Sequence, residues 1–461
     1  MTSFLRYAQQ GIHAWIPCWN CRPASRRCRT RLRTTGKRCR LSWRSASPSS
    51  PAADPASFPH PSRDIRRPTM QQAVIVDAIR SPMGRSKLDS AFTELHPTEL
   101  LAQVLAGLVE RNKLDPGLVE DVITGCVSQV GEQSATPGRV AWLAAGFPEH
   151  VPSTTIDRKC GSSQQAVHFA AQGIMAGAYD IVIACGIESM SRVPMGSGRI
   201  GQNPYGPSFE ARYAPGLVSQ GVAAELVAAQ WELSRDDLDQ YSAQSHQRAH
   251  QAREAGAFRR EILPVRTAAG LVEHDETIRP TTTAERLATL APSFRDEALG
   301  QRFPQIGWHV TAGNASQISD GAAAILLMSE RAASRLGLNA RARFVAFDAC
   351  GDSPLTMLTA PIPSSKRALE KSGLSLDAIA HYEINEAFAC VPLAWQRALG
   401  ADPARLNPRG GAIALGHPLG ASGARLMTTM LHALEDSGGR YGLQSMCEAG
   451  GMANATIIER L

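Results

Sequence analysis

The sequence predicts an α/β fold built as two similar halves with an inserted loop domain. Three observations carry this. From residue 70 onward, strand-like runs alternate with helical ones, the pattern that lays helices on a mostly parallel sheet. A helix–strand scheme at residues 114–125 returns at residues 374–385, an offset of 260. A long stretch of different character, residues 191–312, interrupts the alternation.

Taken in order, AVIVDAI (73–79) reads as a short apolar strand, and TELLAQVLAGLVERN (98–112) as a helix with Thr98 at its N-cap. VEDVITGCV (119–127) returns to strand, SSQQAVHFAAQGIMAG (162–177) is helical, and YDIVIACG (179–186) is a strand again. The interrupting stretch opens on a Gly/Pro-rich loop and holds one polar helix, capped by Ser234 and running to about Glu254. A long insertion on a compact scaffold often covers a site or binds a substrate. In the second half, SSKRALEKSG (364–373) is helical, as is GASGARLMTTMLHAL (420–434), and YGLQSMC (441–447) is a strand. The same offset of 260 carries Cys160 onto Gly420, each opening a helix that leads to a strand. Two consecutive matches at one offset indicate an internal duplication, although any two βαβ units share some likeness. The expected boundaries are 1–69 for an N-terminal extension, 70–190 for the first half, 191–312 for the loop domain, 313–340 completing the first half, and 341–461 for the second half.

Composition narrows the function. The chain has 461 residues, 43% of them apolar and 20% charged, and a formal net charge of +6. Residues 1–69 hold fourteen Lys/Arg against two acids, Asp54 and Asp64, which leaves 34 basic and 40 acidic residues in the rest. The basic excess that would suggest nucleic acid or anionic membranes therefore belongs to the N-terminal segment and not to the globular part. No apolar run reaches the ~20 residues that span a bilayer. The six later cysteines, Cys126, Cys160, Cys185, Cys350, Cys390 and Cys447, are scattered without paired spacing, as free thiols in a reducing compartment would be.

Residues 1–69 are rich in Arg, Ser, Pro, Trp and Cys and show no sustained period, so they read as disordered. The favoured reading is spurious sequence upstream of a start at Met70. A transit peptide is the second, because such segments are Arg- and Ser-rich and acid-poor. A zinc arm through Cys18, Cys21, Cys28 and Cys39 is the weakest, because only the first two have close spacing.

Four places could carry chemistry. Cys160, in DRKCGSSQQAV, stands between an extended stretch and a helix. A helix N-terminus favours the thiolate, so the thiol is expected below its free value of about 8.5; a structural cysteine at a turn is the alternative. His417, in GGAIALGHPLGASG, is fixed by Gly416 and Pro418 in a turn leading into a helix and can serve a cysteine as base; a surface turn histidine is the alternative. Cys447 ends a buried strand at a Gly-containing turn, where a second thiol could shuttle protons or simply fill the core. Asn385 and Glu386 interrupt an apolar strand-to-helix junction and need polar partners there; a helix cap by Asn is the plain explanation. The duplication puts the Cys160 loop and the loop after His417 at matching ends of the two halves, where they can share a crevice.

CGSS (160–163), TAGNASQISDGAA (311–323), NEAFA (385–389), GGAIALGHPLGASG (410–423) and the terminal MC-x-x-GG (446–451) together resemble the thiolase family, in the family's order, across Met70 to Leu461. The resemblance implies an α-β-α-β-α layered core and an acetyl-CoA C-acyltransferase of degradative type, cleaving 3-ketoacyl-CoA to acetyl-CoA and a shortened acyl-CoA by a ping-pong route. It implies Cys160 as nucleophile, His417 as its base and an oxyanion donor, Cys447 as the second acid/base, and Asn385 as holder of a water in the first oxyanion hole. It places Ser316 against the pantetheine arm and Arg279 against the nucleotide end of coenzyme A, and builds the second oxyanion hole from the N–H groups of Cys160 and Ala449. No metal or redox cofactor is required, coenzyme A being a substrate. A homodimer or tetramer is expected, membership of a β-oxidation complex is open, and the location is cytoplasmic, or mitochondrial if residues 1–69 are a transit peptide. Neither a nucleic-acid partner nor a membrane span is expected.

Two residues depart from the family pattern. Ala449 stands where many members have glycine, and would be strained if its backbone needs a positive φ. Met195, in ESMSRVPMG, stands where members specialised for acetoacetyl-CoA often carry histidine, which favours a bulkier acyl group. The competing readings are acetoacetyl-CoA condensation, a ketoacyl synthase, which would lack Cys447, and a non-catalytic acyl-CoA or sterol carrier.

Overall fold

The structure is a computed structural model that describes residues 71–461; the extension and its cysteines lie outside the described residues. The first half contains β1 (Ala73–Arg80), β2 (Gly84–Arg85), β3 (Asp121–Gly125), β4 (Ser153–Ile156) and β5 (Ile181–Ser189). A small hairpin follows, β6 (Val265–Thr267) and β7 (Gly270–Val272). Then come β8 (Ser319–Ser329), β9 (Ala342–Gly351), β10 (Ile379–Ile384), β11 (Tyr441–Glu448) and β12 (Met452–Arg460).

The main strands pair in the order β10-β11-β12-β9-β1-β8-β5-β3-β4, with β2 on β8. The seam between β9 and β1 is two residue pairs wide, Val74 with Arg343 and Ile75 with Ala342. On either side of it the order is mirrored. In the first half β1–β8 and β8–β5 are antiparallel and β5–β3 is parallel. In the second half β9–β12 and β12–β11 are antiparallel and β11–β10 is parallel. The repeat seen at an offset of 260 is thus a repeat of topology, and β5 and β11 are its matching strands.

Three apolar clusters give the layers. The central one joins Val167, Ala171 and Ile174 on the helix Ser162–Met175 to Met427, Leu431 and Leu434 on the helix Leu419–Ser437, between strand residues of both halves. The outer clusters pack the helix Pro97–Arg111 on the first half and the helices Gln220–Gln230 and Cys390–Leu399 on the second. The strands between are buried on both faces, which is why they read as continuous apolar runs. The first long helix is capped two residues earlier than expected: His96, not Thr98, is its N-cap, with Nδ1 accepting from Thr98 N at 3.3 Å. Pro97 explains the shift, since its fixed φ and missing N–H suit the first helical position.

The helix Arg235–Glu254 carries the expected cap at Ser234, closed into a capping box by Asp237. The segment bearing Arg279 is tied to β1 through buried charge. Arg80 Nε lies 2.7 Å from Glu261 Oε1, and its two Nη atoms lie 2.7 and 3.0 Å from the carboxylate of Asp275. Removing one member of such a buried group typically costs about 3–5 kcal/mol. Among the described residues, no helix is long and apolar enough to cross a membrane.

Candidate active site

Cys160 occupies a sharp turn between β4 and the helix Ser162–Met175. Lys159 adopts φ +49°, and Gly161 is the N-cap. The turn is held by Ser162, whose Oγ donates to Lys159 O at 2.6 Å and accepts from Arg158 N at 2.9 Å. Asn454 Nδ2, on β12, donates to Gly161 O at 3.1 Å. A Cβ at 161 would stand 2.0 Å from Glu448 Oε1, so any larger residue there would have to displace that buried side chain.

The thiol does not titrate as its place at a helix start predicts. Cys160 is 4% exposed, and burial pushes its pKa well above the ordinary value, with the neighbouring Cys447 and Glu448 adding to the rise. Loss of water around the thiolate outweighs the helix dipole. Cys160 therefore rests as a thiol, and to act as a nucleophile it would need a base at the moment of attack.

His417 is held rigidly and rests neutral, as a base would need to be. Its N–H donates to Gln317 O at 3.0 Å, and Gly416 takes φ +84°, where a Cβ would collide with Ser319 Oγ at 2.3 Å. Nδ1 lies 2.6 Å from Ser422 Oγ, and that hydroxyl donates to Pro418 O at 2.8 Å. With its proton spent on Pro418, Ser422 can only accept from His417, so Nδ1 carries the ring proton and Nε2 presents a lone pair. Asn385 Nδ2, 3.4 Å from Nε2, agrees with this assignment. Burial, with the charge of Arg425 second, pulls His417 down to about 3, so the ring rests neutral.

Asn385 also donates toward Cys447 Sγ at 3.9 Å, and so stands between the histidine and the second thiol. Its Oδ1 is buried without a partner. It does not cap a helix; the helix Cys390–Leu399 has Ala389 at its N-cap. Cys447, fully buried at the end of β11, is pushed up to about 12, chiefly by burial. The structure thus brings Asn385, His417 and Cys447 into one contact group, with Cys160 beside Cys447. Ala449 follows in the turn and has no positive φ; the left-handed positions are Gly450 and Gly451. The strain expected of alanine is absent.

Ser316 lies half-buried on the segment before β8, with its N–H donating to Ala387 O at 3.0 Å. Arg279 is exposed, and its Nη2 donates to Gln317 Oε1 at 2.9 Å, next to Ser316 in the chain. Both therefore border the same segment, Arg279 at the solvent side. Met195 is 61% exposed.

Several supporting residues of the site were given no role from the sequence, although Glu386 was noted there as needing polar partners. Glu386 is fully buried and accepts from Tyr241, Ser245, Asn407 and the N–H of Ile413, which clamps the loop leading to His417. Its interruption of an apolar run was the visible signal; its partners, 21 to 145 residues away, were not. Glu188 accepts from the N–H groups of Val127, Ser128 and Gly420 and so ties the end of β5 to the start of the helix that follows His417. Ser422 looked like one more small residue of a helix start. Glu448 had no signal at all.

The comparisons with known proteins agree with this geometry. Residues 73–331 match the family model "Thiolase, N-terminal domain" and residues 338–460 match "Thiolase, C-terminal domain". The steroid 3-ketoacyl-CoA thiolase FadA6 of Mycobacterium tuberculosis is 47% identical over 404 residues, covering 86% of this chain and 96% of that protein. The 3-ketoacyl-CoA thiolase of Pseudoalteromonas translucida is 43% identical, covering 85% and 100%. The solved structure of the Bacillus anthracis acetyl-CoA acetyltransferase superposes with a TM-score of 0.76 at 36% identity, covering 85% of this chain and all of that one. This chain belongs to the thiolase family of enzymes.

Proposed function

We propose that the chain cleaves 3-ketoacyl-CoA thiolytically, with Cys160, His417, Asn385 and Cys447 as its catalytic residues. The observation that carries the reading is the contact group of Asn385, His417 and Cys447 beside a buried, protonated Cys160. His417 Nε2 takes the Cys160 proton as sulfur attacks the C3 carbonyl. The C3 oxyanion that forms is met by the N–H groups of Cys160 and Ala449, and the thioester oxygen of the departing acetyl-CoA, which takes up charge as C2–C3 breaks, by the new Nε2–H and a water held on Asn385; losing one such donor typically costs about 2.7–4 kcal/mol. The C2–C3 bond breaks, Cys447 protonates C2, and acetyl-CoA leaves. The Cys447 thiolate then takes the proton of an incoming CoA thiol. The CoA sulfur attacks the acyl-cysteine, whose oxygen points to the N–H groups of Cys160 and Ala449, and Cys160 recovers its proton from His417. The cycle returns every group to its starting state and needs no metal or redox cofactor.

Residues 191–312 serve here as the coenzyme A loop domain, with Arg279 toward the nucleotide and Ser316 toward the pantetheine arm. The exposure of Met195 supports room for a bulky acyl group, and the name of the mycobacterial relative favours a ring-bearing substrate beside linear ones. The enzyme on this reading is cytoplasmic and a homo-oligomer, dimer or tetramer; co-purification decides whether it also joins a β-oxidation complex. If residues 1–69 are a transit peptide, the location is mitochondrial.

The test mixes the full chain with CoA and a panel of linear and ring-bearing 3-ketoacyl-CoAs, beside a Cys160→Ser control. Release of acetyl-CoA that vanishes in the control is the expected result, and the panel ranks the acyl groups. Folded protein that cleaves none of them overturns the reading. Preference for acetoacetyl-CoA above all longer substrates overturns the bulky-acyl part of it.

A further inference from the structure

Glu448 is the residue after Cys447 on β11, and its side chain turns the other way, against the nucleophile turn. It is fully buried, and both carboxyl oxygens lack a hydrogen-bond partner. Oε1 lies 2.0 Å from the point where a Cβ on Gly161 would sit, and Asn454 Oδ1 lies 2.9 Å from that same point. Asn454 Oδ1 is also buried and unpartnered, and its orientation is set because its Nδ2 is committed to Gly161 O. Two acceptors are thus crowded at one side of Gly161 with no donor between them. An ionised carboxylate would leave both unpaired and mutually repelling. A proton on Glu448 would supply a donor on this side of Gly161, where both acceptors now lack one.

We propose that Glu448 is a positioning residue that stands protonated against the Cys160 turn, donating to Asn454 Oδ1, and that its ionisation disables the nucleophile. The charge would then lie beside Gly161, where it opposes both the Cys160 thiolate and the oxyanion bound at the Cys160 N–H. The titratable groups around it are Cys447 on its own strand and Asp157, Arg158 and Cys160 on the nucleophile segment; β12 contributes the neutral Asn454. Arg158 favours ionisation and Asp157 opposes it, but burial dominates and raises the carboxyl to about 8. The switch consequently operates in mildly alkaline solution.

This inference rests on Cys160 being the nucleophile, and two readouts on the full-length enzyme separate the failure of one from that of the other. The first is kcat/KM for thiolysis against pH, wild type beside Glu448→Gln. The wild type should lose activity along a limb with an apparent pKa near 8, about tenfold per pH unit above it, and the variant should lack that limb. The second is the rate of Cys160 alkylation by iodoacetamide against pH, which requires no turnover. Its profile should move to lower pH in the variant, because the opposing charge is gone. Superimposable profiles in both assays overturn the proposal while leaving the thiolase reading intact. Should Glu448→Gln fail to fold, Glu448→Val carries the same expectation, and an alkaline limb that persists in it overturns the proposal equally.

Discussion

Ser422→Ala tests the feature that would let His417 act as a base. The hydroxyl is fully buried, accepts from Nδ1 at 2.6 Å and spends its own proton on Pro418 O at 2.8 Å. Removing it leaves Nδ1–H unpaired in a dry pocket, a penalty of about 1–3 kcal/mol. The other tautomer, with the proton on Nε2, then gains by that amount and cannot accept from Cys160. Each 1.36 kcal/mol is a factor of ten, so kcat/KM for thiolysis should fall roughly 5- to 150-fold, with KM for CoA unchanged. Because burial holds His417 down at about 3, the ring is neutral in both proteins throughout the working range. Raising the pH therefore cannot restore the rate, which distinguishes a lost tautomer from a lost proton. The assay is steady-state thiolysis from pH 6.5 to 9, with melting curves to show that the fold is kept. A kcat/KM within twofold of wild type, or recovery at high pH, would refute the argument that Ser422 selects the tautomer.

Cys447→Ala should lower kcat by about 100- to 10,000-fold, the range for loss of an acid/base group, while Cys160 still reacts with iodoacetamide; equal loss of both would mean the turn itself had collapsed. Arg279 is exposed, and charge contacts of that kind are worth about 0.2–1 kcal/mol, so Arg279→Ala should raise KM for CoA up to about fivefold without changing kcat, and should leave KM for CoA lacking its 3′-phosphate unmoved. Glu448→Gln should stabilise the fold near neutral pH. The unfolded chain releases this proton from about pH 4.5 and the folded one only near 8, so wild-type stability falls as pH rises through that window. At pH 7 the difference is about 3 kcal/mol. Denaturant unfolding at pH 5 and pH 7 checks it, and the gain should shrink at the lower pH.

The elements of the fold were legible because they are local and periodic. The helices Ser162–Met175 and Leu419–Ser437 and the strands β5 and β11 carry their periods in contiguous residues, and one offset exposed the duplication. The proposed catalytic residues stood out for another reason: Cys160, Asn385, His417 and Cys447 lie in motifs dense in glycine and small side chains, where a polar or reactive group is conspicuous. Their supporting residues were not. Glu188 meets Gly420 across 232 residues, and Tyr241 meets Glu386 across 145. Such partners are fixed by how the two halves close on each other, and nothing local marks them. The protonation of Cys160 failed for the same reason. Its position at a helix start was visible, but the burial that overrides the dipole comes from β11 and β12, almost 290 residues later.

Burial has a consistent consequence at this site. Cys160 and Cys447 are raised, His417 is lowered, and Glu188, Glu386 and Glu448 are raised, each with desolvation as the largest cause. The reacting groups therefore rest uncharged, and charge appears only as the sulfur attacks. A site of this kind would be poor at holding a free thiolate, yet that is an advantage in the first half of the cycle. The thiolate, once formed, is consumed by the carbonyl within reach, and the charge moves to an oxygen that faces fixed donors. In the second half the same dryness protects the acyl-cysteine. On the proposed function, a dry pocket leaves little room for water to attack the thioester. By the same reading, the enclosure that makes Cys160 a reluctant nucleophile would also direct its acyl group to coenzyme A.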